Sequence, residues 1–382
     1  MSIDGVVAVA RQELTVRIRK GRWRMVLAAW FVVLFLFTWL LWSTIDNTDL
    51  DRLAFRGRIM FGGLMILVLA LAMLVVPALA GQSVNGDRER GTLATLQVSR
   101  LAPLEITLGK FLAAWGSTIV FLLATLPLIG WCLASDGLTV GAVVVVLVVM
   151  TLLLGTVCAV ALGLSALLAR STTSSVLSYL AVFALTLGTF IAFGLLGSTV
   201  ASEKVTRQVR SFEGGPGVAE PFPGGPDIAP PTPLSQPQQP REVVRTETYR
   251  RARFDRVWPV LALNPVVVLA DAAPDAPKLR TTCFSDTGSP FPCTRDNDSF
   301  DPLGGIGRAV RDVRRPPLPD CFDQASCDVR QEAERRRDES DGAPVWPVGL
   351  ALNVLLAGGA LAVTTARLRT PSRKLARGQR VA

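Results

Sequence analysis

A short run of charged side chains between two long apolar segments contains the residue types best suited to a specific contact. It reads Asp87-Arg88-Glu89-Arg90-Gly91-Thr92-Leu93, and the residues that follow at short intervals are Leu96, Pro103, Glu105, Gly109 and Lys110. Acidic and basic residues alternate in this run, and such charges guide the docking of one protein on another. Leu93 and Leu96 give a helix predicted at 87–98 one apolar edge. The alternative interpretation is an ordinary solvated loop whose charges only keep it in water.

Catalytic chemistry finds little support in the residue types. The chain has no histidine, which excludes Ser-His and Cys-His hydrolytic sites. Gly109-Lys110 is followed by Phe111 and lacks the upstream glycine of a nucleotide-binding P-loop. The apolar runs carry no Asp, Glu, Lys or Arg near their middles, although proton-driven carriers need such groups as relays. We therefore expect neither enzyme activity nor a cofactor on this chain, and energy for transport would come from another subunit.

The elements that position the charged run are predicted to be membrane helices. Half of the 382 residues are hydrophobic, the mean hydropathy is +0.39, and apolar runs of about 20 residues are typical of membrane spans. The predicted fold class is an all-α polytopic membrane protein with six transmembrane helices, at 25–45, 59–80, 111–133, 138–168, 176–200 and 344–366. Asn353 in the last span either lines a path or forms a hydrogen bond between helices.

The positive charges near the two ends of the chain predict its orientation. Residues 1–24 carry six cations against two acids, and residues 367–382 carry six cations and no acid. Such charges favour the cytoplasmic side, so both termini are predicted to be cytoplasmic in the cell membrane. Residues 1–24 are also predicted to form an amphipathic helix on the lipid bilayer. Because the cations lie beside the spans, the net charge of +9 does not indicate nucleic-acid binding.

This orientation places the 81–110 loop inside the cell and residues 201–343 outside. The 201–343 segment is thus a large extracytoplasmic insertion between helices five and six. Its first part, 201–257, is rich in Pro and Gly and is predicted to be an extended linker. Residues 258–272 are apolar but too short to span and are interrupted by Asn264-Pro265, which predicts a re-entrant or interfacial hairpin.

The cysteines support the same sidedness. Cys283, Cys293, Cys321 and Cys327 all lie in the insertion, where an extracytoplasmic location allows disulfides to persist. Three pairings are possible, and Cys283–Cys293 with Cys321–Cys327 is the local one. A zinc site is the alternative, but it is disfavoured because the spacings are not of the paired C-x-x-C type and histidine is absent.

The string from Asp87 to Leu93, followed by Pro103, Glu105-Ile106 and Gly109-Lys110, resembles the first cytoplasmic loop of permease subunits of type-2 ATP-binding-cassette transporters. The likeness covers this loop and the layout of spans within residues 1–200, and Ala94 stands where the family commonly has a glutamate. It implies that the loop docks in a groove on a separate ATPase subunit, which binds ATP and Mg²⁺. It also implies a working unit of two permeases, as a homodimer or with a related permease, and two ATPases.

The resemblance thus implies ATPase-coupling roles for the motif residues of the 81–110 loop. These are Asp87, Arg88, Glu89, Arg90, Gly91, Thr92, Leu93, Leu96, Pro103, Glu105, Gly109 and Lys110. The expected function is that of the permease subunit of an ATP-driven exporter. The alternative is a non-transporting membrane sensor or assembly protein that displays residues 201–343. The sequence leaves the transported substrate open.

Overall fold

The computed structural model describes residues 3–19, 22–46, 56–89, 102–168, 170–213, 241–273, 279–284, 290–295, 301–321, 324–339 and 342–369. Within these ranges, six helical segments are long and apolar enough to cross a membrane, as predicted. They are Trp23–Ile45, Arg56–Glu89, Pro103–Ala134, Val140–Leu167, Ser171–Val200 and Trp346–Leu368.

The first, fourth and sixth spans are single helices, the other three combine several helical elements, and shorter helices flank them. The helices are α1 (Ile3–Arg19), α2 (Arg22–Asp46), α3 (Arg56–Ala80), α4 (Asn85–Glu89), α5 (Pro103–Leu123), α6 (Leu126–Ala134), α7 (Val140–Leu167), α8 (Ser171–Phe183), α9 (Thr189–Leu195), α10 (Trp258–Ala262), α11 (Pro265–Ala272), α12 (Pro302–Val313), α13 (Gln324–Glu339) and α14 (Trp346–Leu368). Two π-helical stretches, Ala184–Gly188 and Leu196–Val200, complete the fifth span.

The second and fourth spans form the centre of the bundle. In each, 61% of the most apolar window is buried, against 11% in the fifth span. Helices α3 and α7 are apolar on all sides, which is the pattern of a helix enclosed by others. Leu64 and Met65 of α3 share one core cluster with Met150 and Leu153 of α7. The first, fifth and sixth spans therefore surround this centre and leave most of their apolar side chains exposed.

The third span is interrupted, although the sequence predicts one continuous helix. Helix α5 ends at Leu123 and α6 begins at Leu126. Pro127 lies in the first turn of α6, where its missing amide is tolerated. The Thr125 hydroxyl donates to Leu122 O at 2.6 Å. This hydroxyl therefore satisfies a carbonyl oxygen beside the break.

Helix α1 packs along α5. Val6 and Val9 of α1 are buried, whereas Ile3 and Val7 are exposed at 80% and 53% of their surface. A Cβ at Gly109 would lie 2.6 Å from Val9 Cβ, so only glycine permits this approach. One face of α1 thus covers α5, and its position at a membrane surface stays a prediction.

The C-terminal part of α14 packs against α5 and the turn after α3 at one end of the bundle, which we call the terminal end. Leu368 of α14 packs there with Val84 and Ile106, and Thr365 Oγ1 donates to Thr107 Oγ1 at 3.2 Å. The segment between the fifth and sixth spans contacts the opposite end, which we call the insertion end.

The insertion contains β-structure, so the expectation of an all-α fold is wrong for this region. Strands β1 (Glu203–Glu213) and β2 (Arg241–Arg251) pair antiparallel over their full length. Strands β3 (Leu279–Phe284) and β4 (Pro290–Arg295) form a second hairpin. The predicted linker is therefore wrong for 203–213 and 241–251, where β-branched Val and Thr recur and favour strands. The Pro-rich centre, 214–240, lies outside the described residues.

Ion pairs hold the base of the first hairpin. Arg253 contacts both Glu203 and Asp255, and its Nε lies 2.9 Å from Asp255 Oδ1. The hydrogen bond from Arg253 lowers the pKa of Asp255 below its usual value. Tyr249 Oη donates to Asp320 Oδ2 at 2.8 Å. These contacts join the base of the hairpin to Asp255 and tie β2 to the segment before α13.

The cysteines of the insertion are only partly described. Cys321 and Cys327 form a disulfide with Cα atoms 4.5 Å apart, which is one of the two predicted local pairs. The backbone register places Cys283 opposite Phe291 and Cys293 opposite Thr281, and the pairing of these two cysteines stays a prediction. Since zinc binds thiolates, the Cys321–Cys327 disulfide excludes a zinc site made of all four.

Candidate functional site

The charged loop begins where α3 ends. A turn at 81–84 connects α3 to α4, and Gly81 N donates to Pro77 O at 2.8 Å. Of the predicted helix at 87–98, Asp87, Arg88 and Glu89 lie in α4. The remaining predicted residues of this helix, Arg90, Gly91, Thr92, Leu93 and Leu96, lie outside the described part of the chain.

Lys110 forms the centre of the site. Its side chain is fully buried, and its ammonium group donates to Glu13 Oε1 at 2.6 Å, to Ser83 O at 3.1 Å and to Asp87. An ammonium group has three donors, so these three acceptors satisfy it. One side chain of α5 therefore ties together α1, the 81–84 turn and α4.

The burial of Lys110 is physically possible because two carboxylates face it. A buried charge is costly unless it is paired and hydrogen-bonded. Asp87 and Glu13 keep 16% and 23% of their side-chain surface exposed, so both carboxylates stay in contact with water. The cluster is thus held by charge at the centre and hydrated at its edge.

The motif residues at the start of α5 have structural partners. Pro103 is the first residue of the helix. Glu105 is buried, and its Oε2 accepts from Ala102 N at 3.0 Å. Gly109 gives room to Val9 of α1. These three residues therefore position α5 and α1, which then present Lys110 and Glu13 to each other.

Helix α4 is also bonded to the connector between the fourth and fifth spans. Arg88 Nη1 donates to Leu168 O at 3.2 Å. Asn85 Nδ2 lies 3.4 Å from Arg170 O. Ser171 N donates to Glu89 Oε1 at 3.1 Å, so the predicted site residues Arg88 and Glu89 both have partners within the chain.

A hydroxyl of α7 bonds the junction between the turn and α4. Ser165 Oγ accepts from both Val84 N and Asn85 N at 3.2 Å. Ser165 is fully buried, as is Asn85. Through these bonds α4 contacts the fourth span as well as the second and third.

Sequence reasoning found Asp87 and Lys110 but missed their partner Glu13. The signal was present, because Glu13 follows Val6 and Val9 at helical spacing and so shares the buried face of α1. Sequence reasoning also missed the role of Ser165. Nothing in a span rich in small residues distinguishes one serine as a partner of the loop.

A second polar cluster lies between the last two spans and the 258–272 segment. Helices α10 and α11 are separated at Asn264, the predicted break. Asn264 Nδ2 donates to Thr186 O at 2.7 Å and to Thr189 Oγ1 at 2.9 Å. Asn353 Nδ2 donates to Leu263 O at 3.4 Å. Of the two interpretations of Asn353, the structure thus favours the hydrogen bond, which runs from α14 to the turn between α10 and α11.

The Lys110 cluster offers charge and a mechanical connection between helices. In the ranges that the structure describes, no three His, Cys, Asp or Glu side chains are grouped to hold a metal ion. A displacement of α4 would act on α3 through the turn, on α5 and α1 through Lys110, and on α7 and α8 through Arg88 and Glu89.

Comparison with known proteins does not assign the chain to a family. No protein-family model matches it, and none of the curated proteins matches it.

Proposed function

We propose that this protein is the permease subunit of an ATP-driven exporter, coupled to a separate ATPase subunit through the 81–110 loop. The observation that carries the proposal is the position of Lys110, which joins the charged loop to α1 and to the third span. The resemblance of the loop to type-2 ATP-binding-cassette permeases supports it. ATP and Mg²⁺ would be bound by the ATPase partner.

The bonded network suggests how movement would pass into the membrane. The ATPase would close on ATP and displace α4. Because α4 is held by buried hydrogen bonds to the fourth span and by Lys110 to the third, it moves with them as one body. Rocking of these spans against the others would switch a cavity from one side of the membrane to the other.

The charges and aromatic rings support a cytoplasmic location for the terminal end of the bundle. The 1–24 and 367–382 segments are rich in Lys and Arg. Trp42 and Trp131 lie at the insertion end with ring centroids 6.1 Å apart. Trp346 begins the last span at the same end. Such rings favour a membrane–water interface, and we place the insertion outside the cell membrane.

The exposed apolar spans support a paired working unit. Only 11% of the fifth span and 17% of the first are buried within one copy. In the proposed transporter, lipid covers part of these surfaces and a second permease copy covers the rest. One copy would then contribute half of the transport path.

A second candidate function is a membrane sensor or assembly protein without transport activity. The observation that favours it is the extent of the insertion, which includes two hairpins, α12 and the polar helix α13. A sensor would bind its partner through these elements. It would not need a docked ATPase.

Co-purification separates the two candidates. The full-length tagged protein is purified from membranes in mild detergent, and its partners are identified by mass spectrometry. The transport proposal predicts an ATPase subunit in near-stoichiometric amount. Recovery of stable permease without an ATPase, under conditions that keep a second permease copy attached, would contradict it.

A further inference from the structure

Helix α12 in the insertion is anchored at its start to the second span. Asp301 precedes the helix, and its Oδ2 accepts from Arg58 Nε at 2.7 Å. Its Oδ1 accepts from Gly304 N at 3.1 Å, which caps the first turn. Only 4% of the Asp301 side chain and 12% of the Arg58 side chain are exposed. One carboxylate therefore both starts α12 and holds the first turn of α3.

The end of α12 is anchored to the 258–272 segment and the last span. Arg311 Nε donates to Asp271 Oδ1 at 2.6 Å, and its Nη2 donates to Asp271 O at 3.0 Å. Asp271 Oδ2 accepts from Val345 N at 2.6 Å and Trp346 N at 2.7 Å. The fully buried Asp271 carboxylate thus joins α11, α12 and the start of α14.

Between the two anchors, α12 lies across the insertion end of the bundle. Leu303 and Val310 are buried, but they belong to different clusters. Leu303 packs into the main core with α3, and Val310 packs with Leu261 and Val267 of α10 and α11. A Cβ at Gly307 would lie 2.9 Å from Ala270 O, so α12 touches the backbone of α11.

The second span connects α12 to the charged loop. Arg58 is in the first turn of α3, and the 81–84 turn with α4 follows its other end. A tilt or shift of α3 must therefore act on the Arg58–Asp301 pair. The Arg311–Asp271 pair would keep the far end of α12 in place. Breaking a buried ion pair is costly, which favours two distinct arrangements over a gradual one.

We propose that α12 is a gate that closes the insertion end of the permease and opens when movement of α3 breaks the Arg58–Asp301 pair. This rests on the proposed transport function. It assigns Arg58 and Asp301 as positioning residues of the transport cycle, although neither lies in the charged loop. The pair joins residues 243 positions apart in the chain.

The role of the Arg58–Asp301 pair in holding α12 closed is tested by the reactivity of a cysteine on the buried face of α12. In Leu303→Cys, the new thiol replaces a side chain that is 2% exposed. A membrane-impermeant maleimide is applied to intact cells, and the modified peptide is quantified by mass spectrometry. Gly305→Cys, on the exposed face of the same helix, is the positive control for sidedness and expression.

Three companion variants isolate the ion pair. Arg58→Ala should increase the labelling rate of Leu303→Cys at least tenfold. Arg58→Lys, which keeps the charge, should leave it protected. Arg308→Ala removes an exposed arginine from the same helix and should also leave it protected. If Leu303→Cys stays equally protected in the Arg58→Ala background, the Arg58–Asp301 pair does not hold α12 closed.

The gate role is tested in the purified complex with its ATPase. Trapping with ATP and vanadate should increase Leu303→Cys labelling at least tenfold over the nucleotide-free complex. If Arg58→Ala exposes the thiol but trapping does not, α12 is a static brace and the gate proposal is wrong. If no ATPase subunit is found, the proposed function is contradicted instead. The Arg58→Ala experiment needs no ATPase and tests the role of the Arg58–Asp301 pair by itself.

Discussion

Lys110 is the residue on which the account depends most. In Lys110→Met, Glu13, Asp87 and Ser83 O would lose the ammonium group that they share. Leaving a hydrogen-bonding group unsatisfied costs about 1–3 kcal/mol. The partial exposure of both carboxylates places the loss in the lower part of this range. We expect reduced thermal stability in detergent, measured by fluorescence-detected size exclusion.

The same measurement has an internal check. Glu13→Gln and Asp87→Asn, added to Lys110→Met, remove the two carboxylate charges and should restore most of the stability. If Lys110→Met alone unfolds at the wild-type temperature, the buried ammonium does not hold the cluster together.

A substitution at Gly109 tests whether α1 packs on α5 and so belongs to the site. Gly109→Ala would place a methyl group 2.6 Å from Val9 Cβ, and overpacking of this kind costs about 1–3 kcal/mol. Gly130→Ala is the matched control, because a Cβ there meets nothing within 4 Å. We expect a lower unfolding temperature for the first variant only. Equal unfolding temperatures for the two variants would mean that α1 does not pack on α5.

At the scale of elements, the spans were predictable and their interruptions were not. Long apolar runs identify membrane helices because composition alone separates them from the rest of the chain. The break at Thr125 depends on a hydroxyl that satisfies a carbonyl beside it. The β1–β2 hairpin was missed because its strands flank a Pro-rich segment whose composition dominated the interpretation.

Long-range pairs were beyond prediction from one sequence. Arg58 lies in the first turn of α3, and its partner Asp301 lies far along the chain. Lys110 and Asp87 were identified by resemblance, whereas their common contact with Glu13 required the fold of α1. The sequence gives the charge of each residue, but it does not give the spatial distance between residues that lie far apart along the chain.

The insertion yields a prediction about its covalent structure. We expect two intramolecular disulfides, Cys283–Cys293 and Cys321–Cys327, because disulfides persist outside the cytoplasm. Peptide mass spectrometry without reduction should find both linked pairs. Four freely alkylated thiols, in protein isolated without reductant, would contradict this.

At the scale of the whole molecule, the charge distribution predicts both termini in the cytoplasm. After mild reduction, an impermeant maleimide should label Cys321 and Cys283 in intact cells. The buried Cys132 and Cys158 serve as unlabelled controls. Labelling of Cys321 only after permeabilisation would reverse the topology.

The central claim is that the 81–110 loop docks an ATPase, and charge reversal tests it most directly. The variant combines Glu89→Arg with Arg90→Glu. Glu89 is exposed, but its carboxylate also accepts from Ser171 N, so the unfolding temperature of the variant is measured beside its ATPase recovery. The matched control is Glu332→Arg with Arg336→Glu, which reverses an exposed ion pair of α13 in the insertion.

The measurement is the amount of ATPase that co-purifies per permease, at equal expression. Charges at an interface guide docking and suppress wrong pairings, so we expect the loop reversal to reduce recovery at least tenfold, equivalent to about 1.4 kcal/mol. The α13 reversal should retain wild-type recovery. Full ATPase recovery with the reversed loop would contradict the account, because the loop would then not be the coupling element.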